Sequence, residues 1–195
     1  MPTTTPDLVD LWRDDWYQPA VALPSPHCDA RPDGAQIDLI VVHSISLPPG
    51  IYGGREVADL FLGTLDCTAH PYFERLRGLR VSAHFFVRRS GSIWQFVGCD
   101  QRAWHAGESR YRGRSRCNDD SIGIELEGLE GEPFEPIQYG ALARLCRALA
   151  ARYPITFLAG HEHIAPGRKA DPGAGFDWHQ LKRELARPAL HFPTR

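Results

Sequence analysis

The sequence has no long apolar run and no excess of positive charge, and each absence excludes a class of partner. Nowhere in the 195 residues does an apolar stretch approach the roughly eighteen residues that a membrane-spanning helix needs. The 22 Lys and Arg residues are outnumbered by 24 Asp and Glu residues, for a formal net charge of -2 at pH 7. Binding to nucleic-acid phosphates or to an anionic membrane favours a strongly basic face. We therefore expect neither nucleic acid nor membrane as a partner.

Signals for export and for disulfide formation are also missing. The segment Met1–Asp7 has neither the basic cluster nor the apolar stretch of a secretory signal peptide. The five cysteines show no Cys-x-x-Cys spacing, and an odd number fits reduced thiols better than a disulfide framework. These features predict a cytoplasmic protein. Cys146 falls within a helical apolar stripe, which indicates a small core residue.

The length and composition predict one globular domain. A chain of 195 residues with 43% hydrophobic residues can build a single core that buries roughly 70% of the unfolded surface. Residues 1–36 are rich in Pro, Asp and Thr, so we expect an N-terminal wrapping segment there. The domain itself is predicted to span residues 37–187, followed by a C-terminal tail at 188–195. We expect a monomer.

Two segments predict buried strands of a sheet. The nearly continuous apolar run from Ile37 to His43 is typical of a strand buried on both faces. Residues 121–127 alternate, with Ile122, Ile124 and Leu126 on one face and Gly123, Glu125 and Glu127 on the other. Further predicted elements are a short helix around Leu8, Leu11 and Trp12, a helix from Arg55 to Leu62 ended by Gly63, a hairpin of 84–89 and 93–97, a helix from Gln138 to Tyr153 stopped by Pro154, a strand from Ile155 to Ala159, and a helix from Trp178 to Leu185 capped by Asp177. This order predicts an α/β fold, a single domain with a central mixed β-sheet flanked by helices.

A polar, turn-rich segment from Gly160 to Gly173 is the strongest candidate for a site. It contains His161 and Asp171, while His43 stands at the end of the first predicted strand. Hydrolytic zinc sites usually have three protein ligands plus water, and neutral imidazoles with a carboxylate are a common set. We therefore predict Zn²⁺ bound by His43, His161 and Asp171. Taken singly, each of these residues also fits a plainer role at a strand end, in a loop or in an Asp-Pro turn.

His163 is an alternative ligand. If the segment were extended, His161 and His163 would project to the same side, so the sequence leaves open which of them faces the metal. The helical zinc motif of thermolysin-like proteases needs two histidines four residues apart. Here the spacing is two, which excludes that motif.

Two further residues are candidates for catalysis. The alternation of residues 121–127 turns Glu125 away from the apolar face, where it fits either a general acid/base or a solvated strand residue. Glu127, on the same face, is the second choice. Lys169 lies two residues before Asp171 and fits either a stabiliser of negative charge on the substrate oxygen or an ordinary surface lysine.

Several ordered motifs resemble one family. They are Val41–Gly50 (VVHSISLPPG), His70–Phe73 (HPYF), Arg80–His84 (RVSAH), Arg102–Gly107 (RAWHAG), Cys117–Asp119 (CND), Ser121–Gly128 (SIGIELEG) and Lys169–Gly173 (KADPG). Over about residues 24–185 the chain is similar to the zinc N-acetylmuramoyl-L-alanine amidases, which share a superfamily with the peptidoglycan recognition proteins.

The resemblance implies an activity and a set of roles. It implies hydrolysis of the amide between the lactyl group of N-acetylmuramic acid and L-alanine, with muropeptides from cell-wall recycling as the substrate. It implies zinc on His43, His161 and Asp171, with Glu125 and Lys169 as catalytic residues. It also implies contacts with the muropeptide from Arg80, Tyr111 and Arg116, the arginines by bidentate bonds to carboxylates. Two alternatives are a muropeptide-binding module without catalysis and an amidase that acts on polymeric peptidoglycan.

Overall fold

The computed structural model describes residues 11–186 and 189–193. In chain order the strands are β1 (Trp12–Arg13), β2 (Trp16–Tyr17), β3 (Val21–Ala22), β4 (Cys28–Ala30), β5 (Leu39–Ile45), β6 (Phe85–Val87), β7 (Ile93–Gln95), β8 (Gln101–Ala103), β9 (Arg110–Tyr111), β10 (Arg114–Ser115), β11 (Ser121–Glu127) and β12 (Phe157–Gly160). The α-helices are α1 (Glu56–Leu62), α2 (Pro136–Arg152), α3 (His161–Ile164) and α4 (Trp178–Leu185), and 3₁₀ helices span Pro71–Leu76 and Cys117–Asp119.

Six strands form the central sheet, in the spatial order β12-β5-β11-β6-β7-β3. The strands β12, β5, β11 and β6 are parallel neighbours, β6 pairs with β7 antiparallel, and β7 pairs with β3 parallel. Helices α2 and α4 pack on one face, and α1 packs on the other. The predicted α/β fold, a single domain with a central mixed sheet flanked by helices, is confirmed.

The two faces of the central strands have different chemistry. On the face toward α2 and α4, apolar residues of β5 and β11 pack into the largest core cluster; these are Ile40, Val42, Ile122, Ile124 and Leu126. Because side chains alternate along a strand, His43 and Glu125 belong to the opposite face. The predicted alternation of residues 121–127 is confirmed, and it places the polar residues of β11 away from the main core.

Most element bounds lie within two residues of the prediction. The strand predicted from Ile37 begins at Leu39, and the helix predicted from Gln138 begins at Pro136. Gly63 ends α1 in the left-handed conformation with φ 72°, which a residue without Cβ adopts readily. The Asp177 side chain caps α4 by accepting a hydrogen bond from the amide of Gln180.

The expectation of a short helix near the N-terminus is wrong for the residues described. Leu8 lies outside them, Leu11 is in a turn, and Trp12 pairs with Tyr17 in the β1–β2 ribbon. The bounds proposed for the wrapping segment and the C-terminal tail stay predictions, because residues 1–10, 187–188 and 194–195 are not described.

The part of the chain that the structure describes has neither a membrane-spanning helix nor a disulfide. No helix in it is long and apolar enough to span a membrane. All five cysteines are free thiols. Cys146 is completely buried in the main core, as its place in the apolar stripe of α2 predicts.

Candidate metal and catalytic site

The carboxyl ends of three parallel strands carry the candidate site. In the sheet register, Glu125 of β11 is the partner of His43 in β5, and Gly160 at the end of β12 is the partner of Val42. His161 follows directly after Gly160, which brings it level with His43. The register therefore places His161, His43 and Glu125 in a row across the sheet.

The three predicted metal ligands converge on one point. Nδ1 of His43 lies 3.0 Å from Nδ1 of His161 and 3.1 Å from Oδ2 of Asp171. The third side of this triangle, from His161 Nδ1 to Asp171 Oδ2, measures 3.2 Å. Among the described residues, these three form the group of His, Cys, Asp and Glu side chains that could hold a metal ion.

The surroundings of His43 and Asp171 favour the protonation states that a metal needs. Burial acts on His43. It lowers the pKa of His43 to about 4, although the hydrogen bond with Asp171 acts in the opposite direction. Burial alone would raise the pKa of Asp171, but hydrogen bonds with His161 and His43 outweigh it and lower the pKa. At neutral pH the site therefore offers an uncharged His43 imidazole and a carboxylate.

The donor set fits zinc. Two imidazole nitrogens and one carboxylate oxygen are ligands that zinc prefers, and catalytic zinc keeps three protein ligands and an open position. The second nitrogen of each histidine is already occupied, since Nε2 of His161 lies 3.1 Å from the carbonyl oxygen of Ala106 and Nε2 of His43 lies 2.9 Å from His105 Nδ1. Such partners leave both Nδ1 atoms to face the ion.

The expectation that His161 and His163 project to one side is wrong. Residues 161–164 form the single turn α3 rather than an extended segment, and the amide of Ala165 donates to the carbonyl oxygen of His161. Two positions apart in a helix, side chains point in different directions. Nδ1 of His163 instead accepts a hydrogen bond from the Gly160 amide, and its ring packs edge-on against Trp178.

Glu125 lies in a cleft with the candidate ligands. The cleft has a volume of about 830 Å³, and its lining includes His43, Glu125, His161, Lys169 and Asp171. The Glu125 side chain is buried, and within the described part of the chain its Oε2 has no hydrogen-bond partner. Burial and the charge of Asp171 raise its pKa well above the ordinary value, while Lys169 opposes this shift. These properties suit a group that exchanges a proton with substrate.

Glu127, the second choice for catalysis, has a structural role instead. It accepts hydrogen bonds from the amides of Gly53 and Arg89 and lies 3.5 Å from the Arg88 guanidinium. Both of its carboxylate oxygens are therefore already bonded to donors of the protein. This contrast favours Glu125 over Glu127.

The structure does not bring the three predicted substrate-binding residues into this cleft. Arg80 is exposed and lines a neighbouring cavity of about 180 Å³. Tyr111 packs edge-on against Phe157, and Arg116 forms an ion pair with Asp119. Their contacts with substrate stay predictions.

The residues that support the ligands are not identified by any pattern in the sequence. No role is predicted for His105, although its side chain contacts His43 and its neighbour Ala106 contacts His161. The amides of His105 and Ala106 both donate to the side-chain oxygen of Asn118. The available signal was their presence in the RAWHAG and CND motifs, which carried the family resemblance without any assignment of a role.

Comparisons with known proteins point to one family. The N-acetylmuramoyl-L-alanine amidase family matches residues 33–174. The 1,6-anhydro-N-acetylmuramyl-L-alanine amidase AmpD of Citrobacter freundii is 52% identical over 183 residues, which are 93% of this chain and 97% of that protein. The same enzyme of Escherichia coli is 51% identical over 174 residues, or 88% of this chain and 95% of that protein.

A solved structure shares the whole architecture. The crystal structure of a selenomethionine AmpD derivative matches with a TM-score of 0.88 at 51% identity, covering 90% of this chain and 99% of that one. The Escherichia coli amidase AmiD, in complex with the substrate anhydro-N-acetylmuramic acid-L-Ala-D-gamma-Glu-L-Lys, matches with a TM-score of 0.57 at 32% identity, over 79% of this chain and 60% of that one. The chain therefore belongs to the N-acetylmuramoyl-L-alanine amidase family.

Proposed function

We propose that this protein hydrolyses the amide between (1,6-anhydro-)N-acetylmuramic acid and L-alanine in soluble muropeptides of cell-wall recycling, and that it depends on zinc. The observation that carries the proposal is the convergence of His43, His161 and Asp171 in one cleft with the buried Glu125, whose Oε2 has no hydrogen-bond partner among the described residues. The substrate class is supported by the AmpD relatives and by the anhydro-muropeptide bound to AmiD.

The ligand set would hold the ion and leave one face open to the cleft. When bound, zinc would supply Lewis acidity and lower the pKa of a water molecule in the cleft to roughly 7. The protein supplies the rest of the site. The rigid strand β5 positions His43, and the loop before Pro172 positions Asp171.

Glu125 is proposed to move the proton. Its pKa is raised, and its Oε2 has no donor within the described part of the chain, so the carboxylate would take a proton from the attacking water and return it to the departing alanine nitrogen. Its place on β11, beside His43 in the register, holds it at the edge of the metal site. The same carboxyl group thus acts first as base and then as acid.

Lys169 is proposed to stabilise the negative oxygen that forms when water adds to the scissile carbonyl. Its side chain is exposed within the cleft, and its charge acts on both Glu125 and His43. Preorganised positive charge at such a position stabilises the transition state more than the substrate.

Replacing Lys169 by methionine is expected to lower kcat by about 10²–10³, because one charge stabiliser is lost while the aliphatic stem remains. Zinc content should not change. Steady-state kinetics on a soluble anhydro-muropeptide measure the effect, and Lys182→Met, at the other lysine of the chain, is the matched control. A kcat close to that of the wild type would remove Lys169 from the mechanism.

The substrate assignment is tested with the zinc-loaded protein on two substrates. We expect rapid cleavage of soluble anhydro-N-acetylmuramyl-tripeptide and slow cleavage of intact sacculi, because the AmpD relatives are named for the anhydro-muramyl substrate. Mass spectrometry in ¹⁸O-labelled water should find the label in the lactyl carboxylate and none in the released peptide. A preference for sacculi would replace the recycling function by action on polymeric peptidoglycan. Binding of the anhydro-muropeptide without cleavage would mean that the protein is a muropeptide-binding module.

Several finer features rest on the sequence and the resemblance. Contacts of Arg80, Tyr111 and Arg116 with the peptide or sugar remain part of the proposal, and a location of Arg80 beside the cleft fits a peptide that extends past it. A cytoplasmic location and a monomeric state also stay predictions.

A further inference from the structure

His105 lies between the candidate ligand His43 and strand β11, and the proposed reaction does not use it. Its Nδ1 lies 2.9 Å from Nε2 of His43, and its Nε2 lies 3.1 Å from the hydroxyl oxygen of Ser121. The Ser121 hydroxyl in turn donates to the backbone carbonyl oxygen of Cys117. These contacts form a chain of three hydrogen bonds that ends on a carbonyl.

The carbonyl oxygen of Cys117 sets the direction of all three hydrogen bonds, because a carbonyl oxygen only accepts. The Ser121 hydroxyl donates its proton to Cys117, so Ser121 Oγ accepts from Nε2–H of His105. An imidazole with its single proton on Nε2 has a bare Nδ1, which accepts from Nε2–H of His43. In this arrangement the single proton of His43 is on Nε2, and its Nδ1 lone pair points between His161 and Asp171, in place of the hydrogen bond that a proton on Nδ1 would donate to Asp171.

We propose that His105, backed by Ser121, is a positioning residue that holds His43 in the tautomer required for zinc binding. This inference rests on the proposed zinc-dependent function and adds a role for residues outside the ligand set. In metal sites, partners of this kind fix the tautomer and ring orientation of a histidine ligand, and their loss typically costs 10–100-fold in metal affinity.

The neighbouring residue does the same for the second ligand. The carbonyl oxygen of Ala106 lies 3.1 Å from His161 Nε2, which leaves Nδ1 of His161 for the ion. The side-chain oxygen of Asn118 accepts from the amides of both His105, at 3.1 Å, and Ala106, at 2.8 Å. One dipeptide, held by one asparagine, therefore orients both histidine ligands.

The strand beneath His105 is shaped for its ring. A Cβ built at Gly123 would lie 2.4 Å from Cγ of His105, so any larger residue there would displace the ring. Gly123 belongs to the same face of β11 as Ser121 and Glu125. This close approach gives an independent way to move His105 without changing its chemistry, by the substitution Gly123→Ala.

The test measures zinc affinity by titrating the zinc-loaded protein with a competing chelator at fixed pH. The dissociation constant is expected to rise about 10–100-fold in His105→Leu, and by about tenfold in Ser121→Ala and Gly123→Ala. His105→Asn should recover part of the affinity, because its side-chain oxygen can accept from His43 in place of Nδ1. The matched control is Ser25→Ala, which removes another buried serine hydroxyl that donates to a backbone carbonyl, here that of Phe61 in α1.

A second readout separates positioning from a general structural role. In the zinc-free protein Asp171 and His105 compete for the single proton of His43, so ¹⁵N chemical shifts of the ring should show a larger share of the Nε2-protonated tautomer in the wild type than in His105→Leu. Zinc dissociation constants within about twofold of the wild type for both Ser121→Ala and Gly123→Ala would overturn the positioning role, even if His105→Leu fails to fold. A wild-type protein that binds no zinc would instead overturn the proposed function.

Discussion

Replacing Glu125 by glutamine is expected to lower kcat by about 10²–10⁴ while zinc remains bound. The reason is that glutamine keeps the shape of the side chain but neither accepts the water proton nor delivers one to the leaving nitrogen. Glu125 is the buried carboxyl group of the cleft whose Oε2 has no hydrogen-bond partner among the described residues. Kinetics on a soluble anhydro-muropeptide, together with metal analysis of the same sample, measure both effects.

The same substitution should not destabilise the protein, which separates a catalytic role from a structural one. The folded-state pKa of Glu125 is raised, so the folded protein binds more protons than the unfolded chain between the ordinary pKa and the raised one. The contribution of Glu125 to stability is therefore lost as pH rises through this window, and the ionised group is a cost at pH 7. We expect the zinc-free Glu125→Gln protein to melt at the same temperature as the wild type or higher.

The control for this prediction is Glu184→Gln on α4, where the carboxylate accepts a hydrogen bond from Gln180 away from the cleft. It should retain the wild-type kcat. If Glu125→Gln also retains it, Glu125 has no part in proton transfer. A large fall in its melting temperature would point to a structural carboxylate.

Removing a metal ligand is expected to abolish both zinc binding and activity. In Asp171→Asn the carboxylate becomes an amide, and in His43→Ala one imidazole is lost from the triangle of donor atoms. The zinc dissociation constant should rise by more than roughly 100-fold, which is the largest effect typical of residues that only support ligands. Metal analysis should find one zinc in the wild type and almost none in either variant.

Thermal unfolding gives a second measure of the same effect. A ligand that binds only the folded state stabilises it, by about 4 kcal/mol at a thousand times its dissociation constant. Zinc should therefore raise the melting temperature of the wild type and leave that of His43→Ala unchanged. His163→Ala is the matched control, because this histidine belongs to the same helical turn as His161 but binds the Gly160 amide. Loss of zinc from His163→Ala would contradict the assignment of ligands.

The sheet was predictable because its central strands carry strong local patterns. The apolar run ending at His43 and the alternation from Ser121 to Glu127 identified β5 and β11 with their buried faces. The pairing register was not predictable, since nothing local specifies that Glu125 lies opposite His43. That register is what turns three distant segments into one site.

The errors in the prediction also have physical causes. Side chains two residues apart point to the same side only in an extended strand. The segment after Gly160 forms the helix α3 at once, so His161 and His163 point in different directions. The roles of His105 and Ser121 come from hydrogen bonds between residues that lie far apart from His43 in the sequence. A single sequence contains no signal for such contacts beyond the motifs in which these residues occur.

A crystal structure of the zinc-loaded protein, with anomalous diffraction data at the zinc edge, tests the assignment of the ligands directly. We expect one zinc peak, bonded to Nδ1 of His43, Nδ1 of His161 and a carboxylate oxygen of Asp171, at about 2.0–2.2 Å from each. Its open side should face Glu125 across the cleft. A peak on His163, or the absence of zinc from the triangle of donor atoms, would rule out these ligands.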